Sequence, residues 1–251
     1  NLVFLRFFLG ALSLFPIIII KKNKFFFDIN ILKYVVPASI LFLLYNISFF
    51  IATQSLDVGR GAVLVTTINP IITLIIMIII NRKIRKKEII GIFLGMIGGA
   101  IILDLFSKGI FNLFSQNNIY FIFCAVTWGI MTVVINYGQK IINPLSFIFL
   151  CYLFTTIFSL FLVDFSSFGI LNWDLKFYLN FFLVSIGAMS FGTTVYMYST
   201  SIIGPVKSSV FIFSVPFIAM GISSIFLNEI ITINTILGAV LSLIAIYIVN
   251  K

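Results

Sequence analysis

The stretch Ile68–Gly91 reads INPIITLIIMIIINRKIRKKEIIG, and Ser214–Gly238 reads SVPFIAMGISSIFLNEIITINTILG. Each runs through a proline, a long apolar segment, a polar break, a second apolar segment and a glycine. The breaks differ in charge. The first holds Arg82, Lys83, Arg85, Lys86 and Lys87, whereas the second holds Asn228 and Glu229. The fold is read outward from this one design, used twice with its charge reversed.

The chain has 251 residues, of which 61% are hydrophobic and 9% charged, and a mean hydropathy of +1.23. A soluble domain carries roughly 25% charged residues. So few charges cannot build a water-facing shell, so the surrounding solvent is lipid. A spanning helix needs about 20 mainly apolar residues, and the chain repeats that unit almost end to end. Barrel strands would alternate over ~10 residues, which these runs do not. The reading is an all-α integral membrane protein with nine spans, at about 2–20, 33–53, 61–80, 89–105, 118–138, 144–163, 177–200, 208–227 and 231–250.

Several chemistries drop out. There is no histidine, which removes histidine bases, Ser-His pairs and histidine metal sites. Cys124 and Cys151 both lie in apolar runs and form no CxxC pair, so they read as small packing residues. No cofactor or metal is expected. The net charge of +9 reads as a cytoplasmic loop bias rather than a nucleic-acid surface.

Assigning loops alternately to two sides makes that bias explicit. Of the 16 Lys and Arg residues, 12 fall on one side, among them Lys21, Lys22, Arg82, Lys83, Lys140 and Lys251. Arg60, Lys108 and Lys176 fall on the other, and Arg6 lies within the first span. The positive-inside rule places the first side, and the C-terminus, in the cytoplasm of a cell with this protein in its inner membrane. The break after Ile80 is then inside and the break after Leu227 outside. The two copies of one element sit upside down relative to each other.

The correspondence extends further. Pro70 and Pro216 are 146 residues apart, Gly91 and Gly238 are 147 apart. FIATQSLDVGRGAVLVTTINP (50–70) matches YMYSTSIIGPVKSSVFIFSVP (196–216) in layout, and LVFLRFFLGALSLF (2–15) matches FIFLCYLFTTIFSLF (147–161). Four helices over 2–105 thus pair with the last four over 144–250. The helix at 118–138 has no partner, which predicts a further helix of about 20 residues before Asn1. Each repeat would then hold five helices, and an odd number inverts the second copy. The expected domains are 1–110, a first repeat lacking its first helix, and 118–251, a second repeat. Inverted repeats are a common design of secondary transporters, which bind substrate near the bilayer midplane between the halves.

AVTWGIMTVVINYGQKIINPLSFIFLCY (125–152) resembles the passage from the first to the second helix of a repeat in the drug/metabolite transporter superfamily, EamA-type branch. TVYMYSTSIIGPVKSSVFIFSVPFIAMGISSIFLNEIITINTILGAVLSLIAIYIV (194–249) resembles that family's ending, and FLRFF (4–8) the arginine-bearing start of its second helix. The resemblance implies ten helices in two inverted five-helix repeats, cytoplasmic termini, and transport of small metabolites, often outward. Where many members carry an acid after the fourth helix, this chain has Arg82.

Polar side chains are costly in lipid, so those inside spans face the bundle. The candidate substrate-binding residues are Tyr45, Asn46, Thr67, Asn69, Trp128, Thr194, Tyr196, Ser209 and Arg6. Asn46, Asn69, Trp128 and Tyr196 stand out because an amide or a polar aromatic tip needs a partner. A Ser or Thr can instead satisfy its own helix carbonyl. Arg6 could bind a substrate carboxylate as a fork-shaped donor, or snorkel to the interface. Pro70 and Pro216 break helix hydrogen bonds at equivalent repeat positions, as hinges or as static kinks. Gly91, Gly95 and Gly99 make one smooth face for close helix contact, within a monomer or across a homodimer. Glu229 suits the start of the last helix.

The expected function is therefore a secondary transporter of a small organic metabolite, amino-acid-like or related, exporting by alternating access. Its partners are a small-molecule substrate and membrane lipids, with no nucleic acid. The competing readings are an intramembrane lipid-modifying enzyme, for which Asp104, Asp164, Asp174 and Glu229 are poor candidates, and a non-transporting scaffold.

Overall fold

A backbone that enters lipid must satisfy every N–H and C=O within itself, which makes helices the default for runs of this composition. The computed structural model describes residues 1–21, 29–55, 58–81, 85–105, 118–167, 173–227 and 231–251. No strand occurs among them. The helices are α1 (Leu2–Ile20), α2 (Leu32–Ser55), α3 (Val58–Asn81), α4 (Lys86–Ile102), α5 (Ile119–Gly138), α6 (Pro144–Leu160), α7 (Leu175–Phe182), α8 (Thr194–Ile203), α9 (Pro205–Val210), α10 (Val215–Leu227) and α11 (Ile233–Asn250). A π-helix, Leu183–Thr193, joins α7 to α8, and a 3₁₀ segment, Phe211–Ser214, joins α9 to α10. The described residues thus form nine rods where nine spans are expected. Seven are long and apolar enough to cross a membrane, and Pro144–Leu160 is a shorter apolar helix.

Local chemistry sets the helix ends. Asn143 accepts the Leu145 N–H at 3.0 Å ahead of Pro144 at the first helical position, the usual division of labour between cap and N1 proline. Asp174 accepts the Phe177 N–H at 2.7 Å, and Thr232 that of Thr235 at 3.3 Å. Glu88 accepts the Arg85 N–H at 3.1 Å, so α4 starts at Lys86, before the apolar run expected from residue 89. Gly204, at φ +88°, turns the chain between α8 and α9, a conformation that suits a residue without Cβ.

The chain divides into two compact units, each drawing on both halves of the sequence. The first comprises Asn1–Leu44 and Val134–Ile202. Within it α1 packs on α6 and on the π-helix. Its centre is a trio of rings, Phe7, Phe42 and Tyr152, with centroids 5.5–5.7 Å apart and edge-to-face geometry, the arrangement aromatic quadrupoles favour.

The second unit comprises Tyr45–Val133 and Ile203–Lys251. One core cluster joins Val63, Leu64 and Val65 of α3 to Phe121, Cys124 and Ala125 of α5. The glycine face of α4 is used within the chain. Gly91 lies against Val249 and Gly98 against Gly238, both on α11, while Gly95 meets Phe213 and Gly99 meets Thr67. At one end of this pair Asn234 donates to the Asp104 carboxylate at 2.6 Å. Asp104 adopts a positive φ of 53°, a region Asp tolerates better than most side chains.

Two rods depart from uniform α-winding. In the expected 177–200 span, 11 residues are π-helical. Gly187 and Gly192 lie there with no side chain to crowd the wider turn, and the Thr193 hydroxyl reaches the carbonyl of Ala188 at 3.3 Å. Pro216 is the second residue of α10, just after the 3₁₀ turn Phe211–Ser214, as expected where the proline removes one helical N–H. Pro70, 146 residues earlier, sits inside an unbroken α3.

Candidate substrate-binding site

Most of the expected site residues fall in the second unit. Tyr45 and Trp128 stack obliquely with ring centroids 4.6 Å apart, joining α2 to α5. Asn46, one residue on, is buried at 4% exposure. Asn69 of α3 is 1% exposed, and its side-chain carbonyl accepts the Thr73 hydroxyl at 3.3 Å. Thr73 also reaches the Gly129 carbonyl of α5 at 3.4 Å. A Cβ on Gly129 would meet Ile72 at 2.8 Å, so the glycine lets α5 approach α3 beside Asn69. α2, α3 and α5 thus carry two half-buried aromatic polar residues and two buried amides within one apolar unit.

The hydroxyls behave differently. Thr67 donates to the Val63 carbonyl at 2.8 Å, and Ser209 to the Val206 carbonyl at 2.8 Å. Both bonds return to the residue's own helix, the common fate of Ser and Thr in helices. Thr67 also borders a cavity of about 380 Å³ between α3 and α4, otherwise lined by apolar residues such as Leu64, Ile71, Phe93 and Met96. Phe93 is largely exposed, so this is a groove on the lipid-facing side.

Arg6, Thr194 and Tyr196 fall in the first unit. The Arg6 Nε is buried, although the residue as a whole is only half-buried. Tyr152 is fully buried; its hydroxyl donates to the Met189 carbonyl at 3.1 Å or pairs with Thr194 Oγ1 at 3.2 Å. Ser13 and Ser190 share a short hydrogen bond one helical turn away. Tyr196 is half-buried on α8, and its backbone carbonyl accepts the Ser199 hydroxyl at 2.6 Å.

Sequence reasoning missed Tyr152, Asn136 and Gln139. Asn136 donates to the Thr200 carbonyl at 2.6 Å, Gln139 to the Met197 carbonyl at 3.0 Å, and Thr200 to Gln139 Oε1 at 3.0 Å. These bonds staple α5 and the turn after it to α8. The signal was present, since all three are polar groups in or beside apolar runs, the criterion that selected Asn69. Glu229, Asn228, Arg82 and Lys83 lie outside the described residues.

A chain of long apolar helices with a few buried amides is that of a multi-pass membrane protein. The comparisons with known proteins agree. The EamA-like transporter family model matches residues 1–104 and again 117–251. The chain belongs to that family, and is a transporter rather than an enzyme. It is 28% identical over 244 residues to the uncharacterized transporter YoaV of Bacillus subtilis (strain 168), covering 94% of this chain and 82% of the relative. A solved crystal structure shares the fold with a TM-score of 0.70 at 12% identity, over 99% of this chain and 86% of its own.

Proposed function

We propose that the chain is a secondary transporter that exports a small organic metabolite, amino-acid-like or related, by alternating access. The loop charges support an orientation in the inner membrane with a cytoplasmic C-terminus. The observation that carries the substrate reading is Asn69. It is an amide with 1% exposure in the middle of an apolar helix. Polar groups at such depth are costly and mark solute pathways. Tyr45, Asn46 and Trp128 add aromatic and polar surface in the same unit, and Arg6 with Thr194 supplies a cation and a hydroxyl in the other. Tyr196, on α8, belongs to that first unit as well. The two repeats, 1–110 and 118–251, supply the symmetry on which alternating access rests, with Pro70 and Pro216 as the bends.

Solute counterflow in proteoliposomes tests this, using a panel of amino acids, nucleosides and quaternary amines. Accumulation of one class, lost when Asn69→Ala or Tyr196→Ala is reconstituted at equal density, is the expected result. Counterflow unchanged in both variants would sink the site; no counterflow of any class by folded protein would count against the transport reading of this panel.

A further inference from the structure

Three helix ends of the second unit meet around a pocket that the transport reading does not use. α3 closes at Asn81, α4 opens just after Arg85, and α9 opens after Gly204. They border a half-open pocket of about 240 Å³. Met77, Ile203 and Val206 make an apolar floor, while Arg85, Lys207 and Glu88 bring charge to the rim. A Glu88 carboxylate oxygen is already engaged by the Arg85 backbone N–H at 3.1 Å. Among the described residues the rim thus holds two cations against one acid, one of whose oxygens caps the start of α4.

We infer that this pocket binds an anionic phosphate group. Arg85 offers a planar fork that matches phosphate oxygens in pairs, and Lys207 a compact charge. Lys207 is half-buried and lines the pocket, and a lysine so placed can pack its stem on apolar surface while its ammonium stays in water. A cationic rim over an apolar floor, at the end of a spanning bundle, fits an amphiphile whose phosphate sits at the membrane surface and whose glycerol end meets Met77 and Val206. The lysine-rich loops would place this end on the cytoplasmic side, where anionic lipid headgroups attract Lys and Arg. A soluble phosphate would use the same two cations without the floor.

Binding is measured on the purified full chain in detergent, by titrating short-chain phosphatidylglycerol, matched phosphatidylcholine and inorganic phosphate in parallel. Saturable phosphatidylglycerol binding is expected, with little for phosphatidylcholine. Arg85→Gln and Lys207→Gln should each weaken it about fivefold, and Lys207→Arg should retain it. Lys21→Gln/Lys140→Gln removes two other cations and should leave affinity unchanged. Selective phosphatidylglycerol binding assigns the site to a lipid headgroup. Inorganic phosphate binding that is equally sensitive to Arg85 and Lys207 assigns it to a soluble phosphate. If Arg85→Gln fails to fold, Lys207→Gln against its control still decides. Equal response to phosphatidylcholine, equal loss in the control pair, or no binding of either phosphate overturns the proposal.

Discussion

Gly98 and Gly238 oppose each other backbone to backbone: a Cβ on Gly98 would lie 2.8 Å from the Gly238 carbonyl oxygen, and one on Gly238 2.5 Å from that of Gly98. A Cβ on Gly91 would likewise lie 2.9 Å from the Ala245 carbonyl oxygen. The 147-residue offset that carries Gly91 to Gly238 also carries Gly98 to Ala245. One contact therefore maps onto the other when Gly91 is exchanged with Gly238 and Gly98 with Ala245.

The obstacle at Gly98 is backbone, which cannot rotate aside. Gly98→Val should therefore force α4 from α11 and cost about 1–3 kcal/mol or more. Gly221 has open space around it, so Gly221→Ala should be neutral or slightly stabilising, because it removes the conformational entropy of glycine. Thermal unfolding in detergent separates the two. Equal melting temperatures for Gly98→Val and Gly221→Ala would show that the helices do not meet at these glycines.

Arg6 is a charge with a buried Nε on an otherwise apolar helix. If it holds a substrate anion, Arg6→Gln should lower counterflow of carboxylate-bearing solutes tenfold or more, while leaving cationic ones unaffected; ~1.4 kcal/mol of lost interaction corresponds to tenfold. Arg6→Lys should rescue only partly, since lysine lacks the fork. A loss equal for both solute classes would make Arg6 structural.

Much of this was legible in the sequence, for reasons that differ by feature. The spans were readable because burial in lipid is written in composition: α1 and α5 end within a residue of the apolar runs Leu2–Ile20 and 118–138. The glycine face was readable because its spacing is helical. The π-helix was not: nothing in the composition of Leu183–Thr193 distinguishes π from α winding. Nor could sequence say whether Thr67 or Ser209 would turn to its own helix carbonyl or to a cavity. That choice is a rotamer choice, invisible in residue type. Asn69 was identified because an amide has more hydrogen-bonding groups than its own helix can satisfy.

That difference between hydroxyl and amide separates Thr67 from Asn69. Thr67→Val keeps shape and loses only a bond to Val63, so transport should fall less than threefold, within ~0.6 kcal/mol. Asn69→Ala removes a side chain that Thr73 also uses, and transport should fall beyond detection while membrane insertion persists. Initial rates of counterflow, normalised to reconstituted protein, provide the comparison. Equal impairment of both variants would move the site from the amide to the α3–α4 groove.

Tyr152 gives the last test, because its hydroxyl can engage the π-helix through the Met189 carbonyl and α8 through Thr194. Tyr152→Phe retains the ring between Phe7 and Phe42 but removes the hydroxyl. Hydrogen bonds between helices in membranes contribute roughly 0.6 kcal/mol on average and about 1.7 at most, so global stability should fall only slightly. The local effect should be larger. A π-helix that loses an external partner is freer to rewind, and amide hydrogen exchange across residues 183–193 should quicken relative to α6. Faster exchange confined to that segment would identify Tyr152 as the residue holding the winding in place. Unchanged exchange there, with the same small loss of stability, would mean that Gly187 and Gly192 suffice to keep it.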